Sequence, residues 1–420
     1  MKQTIRTEQG ALPLQTLHHD HRRPRSHRNG RIGRKCEDLR LSDISNIVLG
    51  RDTVSSSSRW SPVRAASHSG VENSSSVLVA DIGGTNCRFQ LWEVLPGDDE
   101  SSLVASTMLL EKILPTSEFE RFDQALESFL ELEESKCLPP KAAAFACAGP
   151  VKDNCCRFTN ISWVVDKAEV EKDFGLPCRV LNDFEAIGYG VTQLKGDQIL
   201  TIHDVPKEKK GPIAVLGPGT GLGEAQLFWN DEIDDYTVYP SEGSHATFAP
   251  RGWKQRALQA VVEAERGHCS VERVACGSGL VRIYNFLLTD EQPHKPGYQS
   301  LDDPTPASIS QAGLDGTDPV AVEALNMFLA IVGAEAGYMA LRGLSTGGVY
   351  IAGGILPKVI SRAREGGLLD AFLWKESRFH DKVLKYIPLY VVLDEKVGLM
   401  GSRQQAIQTL MMHIRGDYMK

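Results

Sequence analysis

The sequence of 420 residues is 42% hydrophobic, which gives room for two ordinary domains with a core each. Its net charge of −8 is uneven: residues 1–64 hold 13 Lys and Arg against 6 Asp and Glu, or +7, and the remainder holds 33 against 48, or −15. So acidic a body makes nucleic acid a poor partner, no run of about 18 apolar residues marks a membrane helix, and no apolar stretch near the start marks a secretory signal.

Residues 1–76 include HHDHRRPRSHRNGRIGRK and SSSSRWSPVRAASHSG, rich in Arg, Ser and His and too poor in apolar residues to bury a core. A disordered extension is expected there. Its Arg and Ser content resembles a plastid or mitochondrial transit peptide. The acids Glu8, Asp20, Glu37, Asp38, Asp43 and Asp52 are more than such peptides usually carry, which leaves an uncleaved tail or a misplaced start codon as the alternative. Nine cysteines, an odd number with no C-x-x-C pair, argue against a disulfide framework and a thiolate metal site. They point to a soluble intracellular protein, cytoplasmic unless the extension directs it to an organelle.

From Val77 the pattern is α/β. VLVADIGGTNCRFQLW, residues 77–92, reads as a strand, a glycine turn and a second strand. Ser117 and Glu120 have capping-box spacing, and Phe119, Phe122, Leu126, Phe129 and Leu130 follow at helical intervals. KAAAFACAGPV is a buried strand entering a Gly-Pro turn. CRVLNDFEAIGYG is a strand, a turn at Asn182-Asp183 and the start of a helix. IAVLGPGTGLGEAQLFW, residues 213–229, repeats the opening hairpin, so the chain reads as internally duplicated. Helices are expected over Trp253–Arg266, Val271–Leu288 and Asp318–Arg342, and GGVYIAGGILPK is a further buried strand closed by a glycine pair.

Three glycine turns carry the chemistry: DIGGTN at 81–86, GPGTGLG at 217–223 and AGGI at 352–355. Glycine leaves backbone N–H groups unobstructed, and consecutive amides with a Thr hydroxyl form a concavity for phosphate. Any one of them alone is a tight turn; three in one chain, two of them copies, favour the phosphate reading. None fits a P-loop or a dinucleotide fingerprint. Asp81, where the first strand meets its turn, suits Mg²⁺, which takes one or two carboxylates plus waters and phosphate oxygens; the alternative is a turn cap. Asp183, at a strand end and with an ordinary pKa near 3.9, can accept a hydroxyl proton during phosphoryl transfer; by itself it reads first as a helix N-cap. Glu242, His245 and Glu272 supply the acceptors and imidazole that a polyhydroxylated substrate asks for, although singly they read as a loop histidine and solvated acids.

DIGGTNCRF, ACAGPV, TNISW, LNDFEA, GPGTGLGEA, EGSHATFAP, SVERVACGSGLVRIY, GGVYIAGGILPK and GLMGS stand in the order and spacing of the bacterial-type glucokinases, and the resemblance runs from Val77 to about Ile407. It implies the two-domain actin-like ATPase (ribonuclease H-like) fold, with the active site in the interdomain cleft. Residues 77–193, completed by a C-terminal helix in 397–420, would form the small domain and residues 194–396 the large one. It also implies ATP-dependent phosphorylation of D-glucose to glucose 6-phosphate, the entry step of glycolysis. Asp183 would be the base for the 6-hydroxyl, and Asn160, Asn182, Glu242, His245 and Glu272 would hold the other hydroxyls. Gly83, Gly84, Thr85 and Asn86 would face the ATP phosphates with Gly219, Thr220 and Gly221. Gly353 and Gly354 would lie on the adenosine side, Asp81 would hold Mg²⁺ through water, and the enzyme would be a homodimer.

The related ROK branch carries a C-x-C-G-x-x-G-C zinc motif where ACGSGL has one cysteine, so no structural zinc is expected; nor does the tail carry a helix–turn–helix. Two departures stand out. Ser241 and Ser244 replace glycines common in the sugar loop, where they would tighten the turn or add hydroxyl donors. Glu224 follows the second turn where an apolar residue is common, and its charge near ATP would be unfavourable unless it points outward. A catalytically silent sugar sensor, or a kinase of another hexose such as mannose, would use the same residues.

Overall fold

The computed structural model describes residues 74–97, 103–289 and 300–417, so the extension expected over 1–76 lies outside the described residues but for its last three. The chain opens with β1 (Ser75–Ile82), β2 (Asn86–Pro96) and β3 (Leu103–Pro115), then α1 (Phe122–Leu130), α2 (Glu133–Cys137) and β4 (Pro140–Cys147). A small antiparallel sheet of β5 (Val151–Lys152), β6 (Cys155–Arg157) and β7 (Val164–Asp166) leads through α3 (Lys167–Phe174) to β8 (Cys178–Asn182) and α4 (Asp183–Val191). The second part comprises β9 (Ile199–His203), β10 (Ile213–Pro218), β11 (Leu222–Asn230) and β12 (Asp235–Ser241), then α5 (Gly252–Arg266), α6 (Gly277–Thr289), α7 (Pro306–Asp315) and α8 (Pro319–Gly343). β13 (Gly348–Ile351), α9 (Ile360–Ala363), α10 (Gly367–Leu373), α11 (Ser377–Lys382), β14 (Leu389–Val392) and α12 (Val397–Arg415) complete it.

Two large sheets share one plan. The first has the order β3-β2-β1-β4-β8 and the second β12-β11-β10-β13-β14-β9. Apart from the added edge strand β9, each is an antiparallel meander of three strands that continues into two parallel ones. The repeat seen in the two glycine hairpins is thus a repeat of whole sheets. In the central strands Val77–Ala80 and Ala214–Leu216 are fully buried, which is why they read as unbroken apolar runs and not as alternating ones. On one face of the first sheet α1 sets Phe122, Leu126 and Phe129 against Phe89 and Phe145, with ring centroids 5.1 Å apart for Phe89–Phe129 and 5.2 Å for Phe122–Phe145. Each such side chain contributes about 1.5–3 kcal/mol by leaving water. The other face meets α4 and α12 in a core that also takes in Val215, Ala225 and Leu227 of the second sheet. α4 and α12 cross so closely that a Cβ at Gly190 would overlap the Val397 carbonyl, and one at Gly401 the Ala186 carbonyl.

Two local expectations need correction, and two further features were not anticipated. α1 starts at Phe122 with Arg121 as its N-cap residue, and Gln124 Oε1 accepts the N–H groups of Glu120 and Arg121; Ser117 lies in a preceding 3₁₀ turn. Val271–Cys276 is not helical, because Val271 N–H donates to Ala246 O (3.1 Å) and Ser270 bridges Thr247; the helix begins at Gly277. α7 was not anticipated, although Thr305 caps it by accepting the Ser308 N–H at 3.1 Å and Pro306 opens it. α8 has the length and mean hydropathy, 1.5, of a membrane span, a character hidden in the sequence by Glu323, Asn326 and Glu335. It is apolar all round because it is buried on nearly all sides in the core of the second sheet.

Candidate active site

The first glycine turn joins β1 to β2. Gly83 N–H donates to Asn86 O at 2.9 Å, and Thr116 occupies two of the turn's carbonyls, its N–H on Thr85 O (3.0 Å) and its hydroxyl on Gly84 O (2.8 Å). Asp81, Gly83, Gly84, Thr85 and Asn86 line one open cavity with Arg88, Asp394 and Lys396. The amide of Asn160 packs on Gly84, where a Cβ would overlap it, so Asn160 stands at the phosphate-type turn.

In the second turn the four glycines divide into two kinds. Gly219 and Gly221 make the bend, with Gly219 N–H on Gly221 O at 2.8 Å, and leave Thr220 exposed. Gly217 and Gly223 face each other across the β10–β11 ladder, and a Cβ on either would overlap the ring of Phe184. Phe184 therefore pins the head of α4 to the second hairpin. Below the bend, Glu272 Oε2 accepts the Leu222 N–H at 3.0 Å, while its Oε1 faces His245 Nδ1 at 3.8 Å. His245 Nε2 in turn faces Glu242 Oε2 at 3.4 Å. Glu242, His245 and Glu272 thus form a row, and Glu272 lies in a turn and not on a helix face.

α4 begins with two polar residues that divide the work. Asn182 is the N-cap, its Oδ1 accepting from Phe184 N–H (2.9 Å) and Glu185 N–H (3.3 Å) while its amide donates to Gly149 O at 3.0 Å. Asp183, the first helical residue, is left half-buried. It lines a cavity of about 400 Å³ with Asp81, Arg88, Gly353, Gly354 and Asp394. Burial pushes its carboxyl up to about 6, the Phe184 N–H at 2.8 Å opposing and the Asp81 charge adding to the rise. Asp81 is raised as well, by the protein mass around the cavity floor and against the pull of Arg88. Asn182, one residue earlier, lines a neighbouring cavity of about 290 Å³ with Ser241 and Glu242. The head of α4 so stands between a glycine-turn cavity and a carboxylate-lined one.

Residues 78–409 match the sequence profile of the Glucokinase family. The chain belongs to that family.

A Synechocystis glucokinase is 33% identical over 353 residues, 79% of this chain and 98% of its own length. The crystal structure of a glucokinase from an Antarctic psychrotroph superposes with a TM-score of 0.68 at 29% identity, covering 79% of this chain and 98% of that one. A Balamuthia mandrillaris glucokinase, solved with glucose, shares the fold at 19% identity with a TM-score of 0.61, covering 80% and 95%. The fold is the actin-like ATPase fold of these sugar kinases.

Within this glucokinase-family chain, residues that sequence reasoning passed over also face the Asp183 cavity. Arg88 is the cross-strand partner of Asp81, a register that counting outward from the Gly84-Thr85 pair would have given. Asp394 and Glu395, between β14 and α12, carry no local motif; Asp394 is engaged by Gln198 (2.8 Å) and the Lys396 N–H (2.8 Å). Ser241 does tighten its loop, Oγ accepting the Gly243 N–H at 2.9 Å. Glu224 departs from expectation: it is 3% exposed and points inward.

Proposed function

We propose that the chain transfers the terminal phosphoryl group of ATP to the 6-hydroxyl of D-glucose, with Asp183 as the base. The observation that carries this reading is the head of α4, where Asn182 takes the capping role and leaves Asp183 facing the cavity shared with Asp81 and Gly353. The two sheets with their helices serve as the two lobes, 77–193 with 397–420 and 194–396. The glycine turns would receive the phosphates through backbone amides, Gly83 to Asn86 from one sheet and Gly219 to Gly221 from the other, with Gly353 and Gly354 toward the adenosine. Asn182, Glu242, His245 and Glu272 would hold the sugar hydroxyls, and Asn160 would reach them from the first turn.

No group of three or more His, Cys, Asp or Glu among the described residues is placed as a closed metal cage. Asp81, opening to the cavity next to the first turn, fits the lighter demand of Mg²⁺, one carboxylate with water and phosphate oxygens completing its shell. When bound the ion supplies charge neutralisation on the phosphates. Asp183 aligns the 6-hydroxyl and takes its proton as the new O–P bond forms, and the rest of the acceleration lies in positioning.

The test is turnover of ATP with a panel of hexoses by the unmutated chain and by Asp183→Asn. The expected result is turnover on glucose that the substitution lowers about 10²–10⁴-fold with glucose binding retained. A base must be ionised, so kcat/KM of the unmutated chain should fall about tenfold per pH unit below about pH 6. Glucose binding without turnover on any hexose would make the protein a sensor, and a higher kcat/KM on mannose would reassign the substrate.

A further inference from the structure

A buried carboxylate with no partner is costly, and Glu224 in β11 is one that the reaction does not use. It is 3% exposed and its Oε1 has no hydrogen-bond partner. The β11–β12 ladder sets it opposite Ser241, and a Cβ on Gly243 would overlap its Oε2. Glu224 therefore lies directly under the turn Ser241–Gly243, which carries Glu242 and leads into His245. The far side of this loop is fixed by backbone, Glu272 N–H on Ser244 O (2.9 Å) and Val271 N–H on Ala246 O (3.1 Å), so a change in the space under Gly243 is taken up by the turn Ser241–Gly243.

The charged groups around Glu224 do not neutralise it. From α8 the buried Glu335 faces it, and Arg342 is engaged with Glu335 at 2.8 Å. Glu185 from α4 and Glu242 from the loop line the same cavity, Glu185 paired with Arg179 at 3.1 Å. Among the described residues no cation forms an ion pair with Glu224. It lines the cavity that Pro240, Ser241 and Glu242 of the sugar loop also wall.

We propose that Glu224 is a positioning residue for the sugar loop: protonated, it fills the space under Gly243 and keeps Glu242 and His245 seated, and ionised, it displaces that turn and weakens glucose binding. The proposal rests on the reading of Glu242 and His245 as sugar ligands. Burial, with Glu335 adding and Arg342 opposing, raises the Glu224 carboxyl to about 7, so the changeover falls near neutrality. The protonated, binding-competent form is the one below that pH.

The experiment measures glucose KM and kcat for the unmutated chain, Glu224→Gln and Glu224→Val. The expected result is a KM that rises roughly threefold to tenfold between about pH 6 and about pH 8.5 in the unmutated chain and stays within about twofold in both variants, with kcat at saturating glucose following one profile in all three. The valine variant keeps the comparison open if the buried amide of glutamine misfolds. Superimposable KM profiles would overturn the proposal while leaving the kinase reading intact. If the unmutated chain turns over no hexose, the kinase reading fails, and calorimetric glucose binding across the same pH range decides on Glu224, a flat profile again overturning it.

Discussion

Asp183 and Phe184 are adjacent residues with opposite surroundings: the carboxylate opens to a cavity and the ring is clasped between two glycines. Asp183 is readable in the sequence as a base only beside Asn182, because one of the pair must cap α4, and nothing local says which. Burial was beyond reach for Glu224, since a lone acid in a strand reads as solvent-facing until the partner sheets are placed. That burial makes a stability prediction independent of any sugar. A carboxyl raised from 4.5 to about 7 binds its proton more tightly in the folded chain, so the favourable contribution is full below about pH 4.5 and is lost as pH rises through about 7. The stability gap between Glu224→Gln and the unmutated chain should therefore widen in favour of the variant by up to about 3 kcal/mol between about pH 4.5 and about pH 8. Urea unfolding midpoints at the two pH values measure it, and a gap independent of pH would refute it.

The glycines of the second hairpin serve as different devices within one turn. A Cβ on Gly219 would meet the Gly221 carbonyl at an ordinary 4.0 Å, whereas one on Gly223 would overlap the Phe184 ring. Gly219→Ala should fold as the unmutated chain does. Gly223→Ala should drive Phe184 and with it Asp183 out of place, lowering kcat/KM on the order of 10²-fold and stability by about 1–3 kcal/mol, with part of the activity regained when Phe184→Leu is added. Steady-state kinetics of the double-mutant cycle decide it: additive losses would show that the clasp does not act through Phe184. The hairpins, their order and the strand–turn–helix of CRVLNDFEA were legible because they are local apolar runs ending in glycine or Asn-Asp. Val271–Cys276 was misread because its apolar spacing is helical while its backbone is claimed by Ala246 and Ser244, a pairing no local window contains.

Across the whole molecule, the duplication could be read in sequence only as two similar hairpins, and the matching of five strands in each sheet emerged from pairings between distant segments. The same holds for the seating of α4. Its close crossing with α12, through Gly190 and Gly401, joins distant segments, and the hydrogen bond from Arg179 to Gln405 spans 226 residues. A chain ending at Lys396 would leave Val397, Leu399, Ala406 and Leu410 missing from the core between the sheets, and should show raised dye binding to exposed apolar surface and no sugar turnover. Retained turnover would show that α12 is dispensable. The crossing also fixes a timetable. At ~5–20 residues per second, about 10–45 seconds pass between the emergence of the catalytic segment and that of its last support. A nascent chain that has already made both glycine hairpins thus has the Phe184 clasp but not the helix that braces α4 from behind, and on the proposed role of Asp183 the final helix is the latch that completes its seating.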